Sequence, residues 1–95
     1  MSELNRDEVV ALVELGESLG DLDLSGLDLS GLALPGVDFE GADLEGADLS
    51  AADLTGANFS LAHLRSVRFC HANLRWTQWA DSVRIDCDFA GARWL

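Results

Sequence analysis

The sequence predicts an all-β solenoid, a chain wound into a coil with corners, and two observations predict it. A five-residue period runs through most of the chain, and five matches neither the helical period of 3.6 nor the strand alternation of two. The 95 residues are 48% hydrophobic, too apolar for an acidic disordered tail. They suffice for one core and leave no room for a second catalytic lobe.

Residues 1–21 read as a capping helix and turn, ahead of a repeat domain over 22–95. Asn5 with Glu8 three residues later has the form of a capping box, Leu4 is placed to staple against Val9, and Gly16 suits the position past a helix end. Together these signals put the helix at about 6–15. Its apolar stripe, Val9, Leu12 and Val13, would cover the first coil, whose bare edge otherwise invites pairing with another chain.

From Leu22 the chain reads in fives: Leu-Asp-Leu-Ser-Gly twice, then Leu-Ala-Leu-Pro-Gly, Val-Asp-Phe-Glu-Gly, Ala-Asp-Leu-Glu-Gly, Ala-Asp-Leu-Ser-Ala and Ala-Asp-Leu-Thr-Gly. More varied units follow. The central residues are Leu24, Leu29, Leu34, Phe39, Leu44, Leu49, Leu54, Phe59, Leu64, Phe69, Leu74, Trp79, Phe89 and Trp94, with Arg84 the exception. These are the expected core rungs. The small residue two before each centre shares its side of an extended segment, the Asp or Asn between them faces the other side, and Gly permits a sharp turn.

The pattern of a small residue, Asp or Asn, Leu or Phe, a variable residue and Gly resembles the pentapeptide-repeat family. It is tightest from Leu22 to Gly56 and looser where His63, Arg68, Gln78 and Val83 replace Asp or Asn. The resemblance implies a right-handed quadrilateral β-helix, here of just under four coils, and says little about function. Four units per coil would stack residues 20 apart, with about 4.8 Å between rungs. The columns then read Leu24-Leu44-Leu64-Arg84, Leu29-Leu49-Phe69-Phe89, Leu34-Leu54-Leu74-Trp94 and Phe39-Phe59-Trp79, so aromatics fall on aromatics.

Candidate chemistry is sparse. Gly16-Glu17-Ser18-Leu19-Gly20 matches the nucleophile-elbow pattern with Ser18 as nucleophile, but an elbow needs a strand before it and a helix after it, the reverse of this context. Cys70, Cys87, His63 and His71 are the potential metal ligands or disulfide partners. The columns place Cys87 inward and Cys70 outward on one wall, so neither a metal nor a disulfide is expected. The sequon Asn58-Phe59-Ser60 lies in a chain with no visible secretion signal, and no lysine is present for a phosphate loop. No cofactor and no enzymatic activity are expected. Two cysteines, no signal segment and no membrane-spanning stretch point to a reducing, cytoplasmic setting without membrane attachment.

The carboxylates are the large feature. Net charge is -11, which disfavours direct binding to nucleic acid phosphates. Residues 1–60 carry 14 acids against one Arg, net -13, whereas residues 61–95 carry three acids against five Arg, net +2. Asp23, Asp28, Asp38, Asp43, Asp48 and Asp53 form the expected acidic surface. The resemblance implies one functional reading of it, an acidic rod that imitates duplex DNA toward a type II topoisomerase. The simpler reading, preferred here, is a solvated face whose Asp residues cap local turns. Below it His63, Arg65, Arg68, His71, Arg75 and Trp76 form a basic band with an exposed aromatic, which either binds a partner or offsets the acids above, with Arg68 under Asp48 and Arg65 under Glu45.

The pattern breaks at Ser82-Val83-Arg84-Ile85-Asp86. In strict phase Arg84 points into the core, at a cost of several kcal/mol unless paired. Either the segment slips to turn Val83 and Ile85 inward, or the last coil is an interface in which a second copy covers Val83, Arg84, Ile85, Trp94 and Leu95. C-terminal dimers, which the resemblance also implies, favour the second. The sequence thus reads as a non-catalytic protein-binding or scaffold module that homodimerises through its last coil, with the topoisomerase-directed DNA mimic as the alternative.

Overall fold

The computed structural model describes residues 4–94; Leu95, one of the expected interface residues, lies outside them. The backbone pairs with itself at a constant offset of 20 residues. Parallel bridges join Asp23 to Asp43, Asp43 to His63 and His63 to Val83, and the same step recurs on every side down to Arg68–Asp88 and Asn73–Arg93. Four units therefore close one turn of a four-sided coil. Each side contributes a single bridging residue, because the corners use the rest of each unit, so the ladder is narrow and contains no long strand.

Side 1 carries centres 24, 44, 64 and 84, side 2 carries 29, 49, 69 and 89, and side 3 carries 34, 54, 74 and 94. Side 4 carries 39, 59 and 79, and it begins earlier, at Leu19, whose N–H donates to the Asp38 carbonyl at 2.9 Å. The centres from Leu19 to Leu74 are at most 1% exposed. Phe39 stacks on Phe59 at 5.0 Å between ring centroids, Phe59 on Trp79 at 4.7 Å and Phe69 on Phe89 at 5.1 Å, while Phe59 and Phe69 meet edge to face across the core. Both geometries suit the aromatic quadrupole. Room for four large centres per layer exists because the second inward residue of each unit is small: Ala42, Ala47, Ala52, Ala57, Ala62 and Ala72 are all buried.

Helix α1 spans Arg6–Glu14, one residue shorter than the sequence suggests. Both halves of the capping box form, Asn5 accepting from the Glu8 N–H and Glu8 from the Asn5 N–H. At the other end the Gly16 N–H donates to Val13 and the Glu17 N–H to Leu12, both at 2.9 Å, with Gly16 at φ +76°. This is the Schellman arrangement, which satisfies the last helical carbonyls. Val9 is fully buried, and Leu4, Leu12 and Val13 pack against the same core. Arg6 adds a polar clamp. In every later coil the carbonyls at the Asp28 and Ser30 levels accept from the coil above; here the Arg6 guanidinium donates to both, at 3.1 and 2.9 Å.

Every corner turns through one residue of positive φ, at each fifth position from Gly16 to Gly91. Gly occupies eight of these positions. Asp21, Ala51, Leu61, Ser66, His71, Trp76, Asp81 and Asp86 hold the same conformation without being glycine, at about 1 kcal/mol or more each.

The stacked core makes the central rungs the costliest positions to truncate. Leu54→Ala and Phe59→Ala should each lower unfolding free energy by about 2–5 kcal/mol, because coils above and below prevent the cavity from collapsing. Chemical denaturation measures this, and a loss no larger than that of an exposed substitution would refute the stacking.

Candidate functional site

The carboxylates have a role in the backbone. In the unit Ala42–Gly46 the Ala42 N–H closes the turn onto Phe39, the Asp43 N–H donates up to Leu22, and the Leu44 and Gly46 N–H groups donate down to His63 and Arg65, all at 2.9 Å. Only the fifth, on Glu45, has no backbone acceptor, and the Asp43 carboxylate takes it at 3.0 Å. The same side chain-to-backbone bond, two residues forward, is made by Asp23, Asp28, Asp38, Asp48, Asp53, Asn58, Asn73 and Asp88. A buried or half-buried N–H left unpaired costs about as much as a lost hydrogen bond. One unit in the acidic half lacks the Asp, having Ala33, and that unit has Pro35 where the needy N–H would be. With no N–H to satisfy, no acceptor is required. Pro35 and Gly36, at φ +70°, also match the turn type that favours Pro followed by a left-handed residue.

The seryl and threonyl residues deepen the effect. Ser25, Ser30 and Thr55 each give the same carboxylate a hydroxyl bond as well, at 2.6, 2.6 and 2.7 Å. The Ser25 hydroxyl and N–H hold Asp23 below the usual carboxylate range, and Ser30 does the same for Asp28. Asp88 is also lowered, first by the Ala90 N–H and then by the Cys70 thiol, with Arg68 and His71 adding positive charge. The expected offset of the acids from below takes a different form. Arg68 bridges Asp48 through the backbone, yet among the described residues neither Arg68–Asp48 nor Arg65–Glu45 is an ion pair; Arg6–Asp28 at 3.6 Å is. The molecule measures 28 × 23 × 21 Å, a length of roughly eight base pairs at 3.4 Å each, and the acidic half covers only part of it.

The second surface is the underside of the last coil. Arg84 is neither slipped nor buried: Val83 keeps its bridge to His63, and Arg84 is exposed with its guanidinium 5.5 Å from the Trp79 ring centroid. Burial cost never arises, because no described coil lies beneath, and the cation rests on an aromatic face. Val83 and Ile85 remain outside, 41% and 45% exposed, and Trp94 is 49% exposed. Trp79 and Phe89 are half-buried. Among the described residues the N–H groups of Trp79, Asp81, Arg84, Asp86, Phe89 and Gly91, which the register aims at a following coil, have no ladder acceptor.

The other candidates have structural roles. The Ser18 hydroxyl donates to Asp38 at 3.2 Å and accepts from Gly20 at 3.0 Å, closing the turn between α1 and the first coil. Cys87 points in and donates to the Leu64 carbonyl, and burial pushes its thiol pKa up. Cys70 is a free, half-buried thiol. No cluster of three or more His, Cys, Asp or Glu able to hold a metal occurs among the described residues, and no helix is long and apolar enough to cross a membrane. In the basic band His63, Arg65, Arg68, His71 and Trp76 are exposed and Arg75 is half-buried. Sequence reasoning missed Leu19 as a rung and the charge-free stretch at Ala33–Pro35 as a feature of the acidic half; the absent Asp beside the only Pro was the available signal for the second.

A sequence model of pentapeptide repeats matches residues 23–60 and 47–78. The crystal structure of a pentapeptide repeat protein from the thylakoid lumen of Arabidopsis thaliana is similar at 37% identity and a TM-score of 0.70, over 81% of this chain and 57% of that one. The chain thus spans little more than half the length of that relative. A pentapeptide repeat protein from Nostoc matches over 96% of both chains, at 26% identity and a TM-score of 0.53. Among curated proteins none matches.

Two tests follow from the fifth N–H. Asp48→Asn keeps the acceptor and should be nearly neutral in thermal unfolding, whereas Asp48→Ala should cost about 1 kcal/mol; equal effects would separate the carboxylate from the turn. In acid, Asp23, Asp28 and Asp88, whose folded pKa values are depressed, contribute stability that is present above the unfolded carboxylate pKa. It is lost as pH falls through their folded values, below about pH 4. The melting temperature should drop there, and less steeply in Asp28→Asn. An acid limb identical in that variant would contradict the assignment.

Proposed function

This chain belongs to the pentapeptide-repeat family, whose members are right-handed quadrilateral β-helices, and from that premise we propose that it is a non-catalytic protein-binding module. In this reading it is a β-helix of just under four coils, capped at its first coil by α1, and its binding surface is the underside of the last coil. The observation that carries the proposal is the combination there of half-buried Trp79 and Phe89, exposed Val83, Ile85 and Trp94, and unpaired ladder N–H groups. Exposed apolar rungs with an open ladder edge are a surface built for pairing. A second copy is the simplest occupant, because a two-fold contact of like ends leaves the α1-capped ends outward and stops growth along the coil axis. Arg84 then gains Asp86 or Asp88 of the other copy.

The topoisomerase-directed DNA mimic draws on the acidic sides. Each of the six carboxylates of that surface is already used by its own turn, which accounts for their regular spacing without a partner. A supercoiling assay with purified gyrase separates the readings: unchanged activity agrees with the binding module, and inhibition at stoichiometric protein favours the mimic.

Light scattering tests the self-association. Wild-type protein should have a mass of at least two 10.2 kDa chains, and Val83→Glu/Ile85→Lys should lower that mass at the same concentration. A wild-type mass of one chain would overturn this part of the proposal.

A further inference from the structure

Trp76 has two features that folding does not explain. It is 67% exposed, and it holds φ +59° at a corner, a conformation a bulky side chain adopts under strain. Two positions of its column are stacked above it, Gly36 and Gly56, and both have the residue the corner prefers. The Gly36 N–H bonds to Thr55 and the Gly56 N–H to Arg75, so the column is continuous, and a Cβ added at Gly56 would meet the Gly36 Cα at 4.0 Å. One edge of the coil is therefore a bare glycine strip ending in a projecting indole.

The upper end of that strip is a cleft of about 250 Å³ with Pro35, Gly36 and Val37 on one side and Gly16, Glu17 and Ser18 on the other, beside a mostly apolar recess against Val10, Leu32 and Ala33 that Glu14 borders. It is smaller than the sites that take a drug-sized ligand and of a size for one side chain. It falls at the charge-free unit created when Pro35 makes an Asp at position 33 unnecessary.

We infer that this edge is a lateral interface between two antiparallel copies, in which Trp76 of each enters the cleft at Gly36 of the other. The spacing supplies the argument. Gly36, Gly56 and Trp76 are separated by equal steps of one coil, so a two-fold axis crossing the edge at Gly56 brings each Trp76 level with the partner's Gly36. Gly56, lacking a side chain, lets the edges approach at the axis. The same operation turns Arg93, two coils below the axis, toward the α1 end of the partner, which carries Glu14 and Glu17. Gln78 comes level with the partner's Asp38. The net -13 half of each copy then faces the net +2 half of the other, whereas parallel copies would oppose like charges. The contact does not involve the underside of the last coil, so it stands or falls separately from the end-on association.

The edge is narrow, and interfaces this small associate weakly, at roughly millimolar concentration. Sedimentation equilibrium on the Val83→Glu/Ile85→Lys chain, where end-on pairing is blocked, should still show a monomer–dimer equilibrium. Adding Trp76→Gly, or independently adding Ala33→Asp, should raise its dissociation constant by about tenfold or more, as loss of a central aromatic anchor does. Trp76→Gly should melt no lower than its parent, since glycine suits the corner. A parent that is monomeric throughout would overturn the interface. So would an equilibrium indifferent to either added change, or a lower melting temperature for Trp76→Gly, which would make the indole structural.

Discussion

Five backbone N–H groups per unit need acceptors, and a one-residue-wide ladder with its closing corner supplies only four. Two donors go down to the next coil, one goes up, and one closes the corner, as in Ala42–Gly46. The fifth turns toward solvent at the corner, and a short acceptor two residues back is the local remedy. The Asp that recurs in this chain follows from that deficit. Asn58 and Asn73 serve equally, which shows that the acceptor oxygen, not the charge, is the requirement. The regular spacing of the acidic surface is thus the spacing of the turns.

The same constraint explains where the surface changes character. Ala33 with Pro35 removes donor and acceptor together, leaving an uncharged patch beside α1. Further along, His63, Arg68 and Gln78 stand where the acceptor was, and no side-chain bond to Arg65, Cys70 or Ala80 is seen among the described residues. The chain trades local hydrogen bonding for positive charge and aromatic surface there. In the same region the corners change from glycine to Leu61, Ser66, His71, Trp76 and Asp81 while keeping positive φ. Side chains on strained corners project outward, so the coils with the least ideal repeats present the most distinctive surface.

Packing carries these departures. A corner held in a poor backbone region persists only where its neighbours fix it, and here the neighbours are rungs that are completely buried down to Leu74 and aromatic columns at 4.7–5.1 Å. Burial declines through Trp79, Phe89 and Trp94 in the last described coil, and the corner after Arg84 lacks the closing bond found at Ala72 and Ala92. Arg84 fits at a rung position there, lying on Trp79 instead of inside a layer.

The sequence by itself determined the period, the inward and outward residue of each unit, the columns and the caps of α1, because each is set by neighbours within five residues or by a repeat that applies everywhere alike. It also carried the Ala33–Pro35 substitution, legible once the need for an acceptor is known. The tertiary structure alone decided what depends on a particular layer. Leu19 becomes a rung because Asp38 lies beneath it, and Arg6 finds two carbonyls because no described coil lies above them. Arg84 stays in phase because no described coil lies below it. The glycine edge, the cleft at Gly36 and the projecting Trp76 are residues 20 and 40 apart, brought into line only when the chain closes four-sided turns.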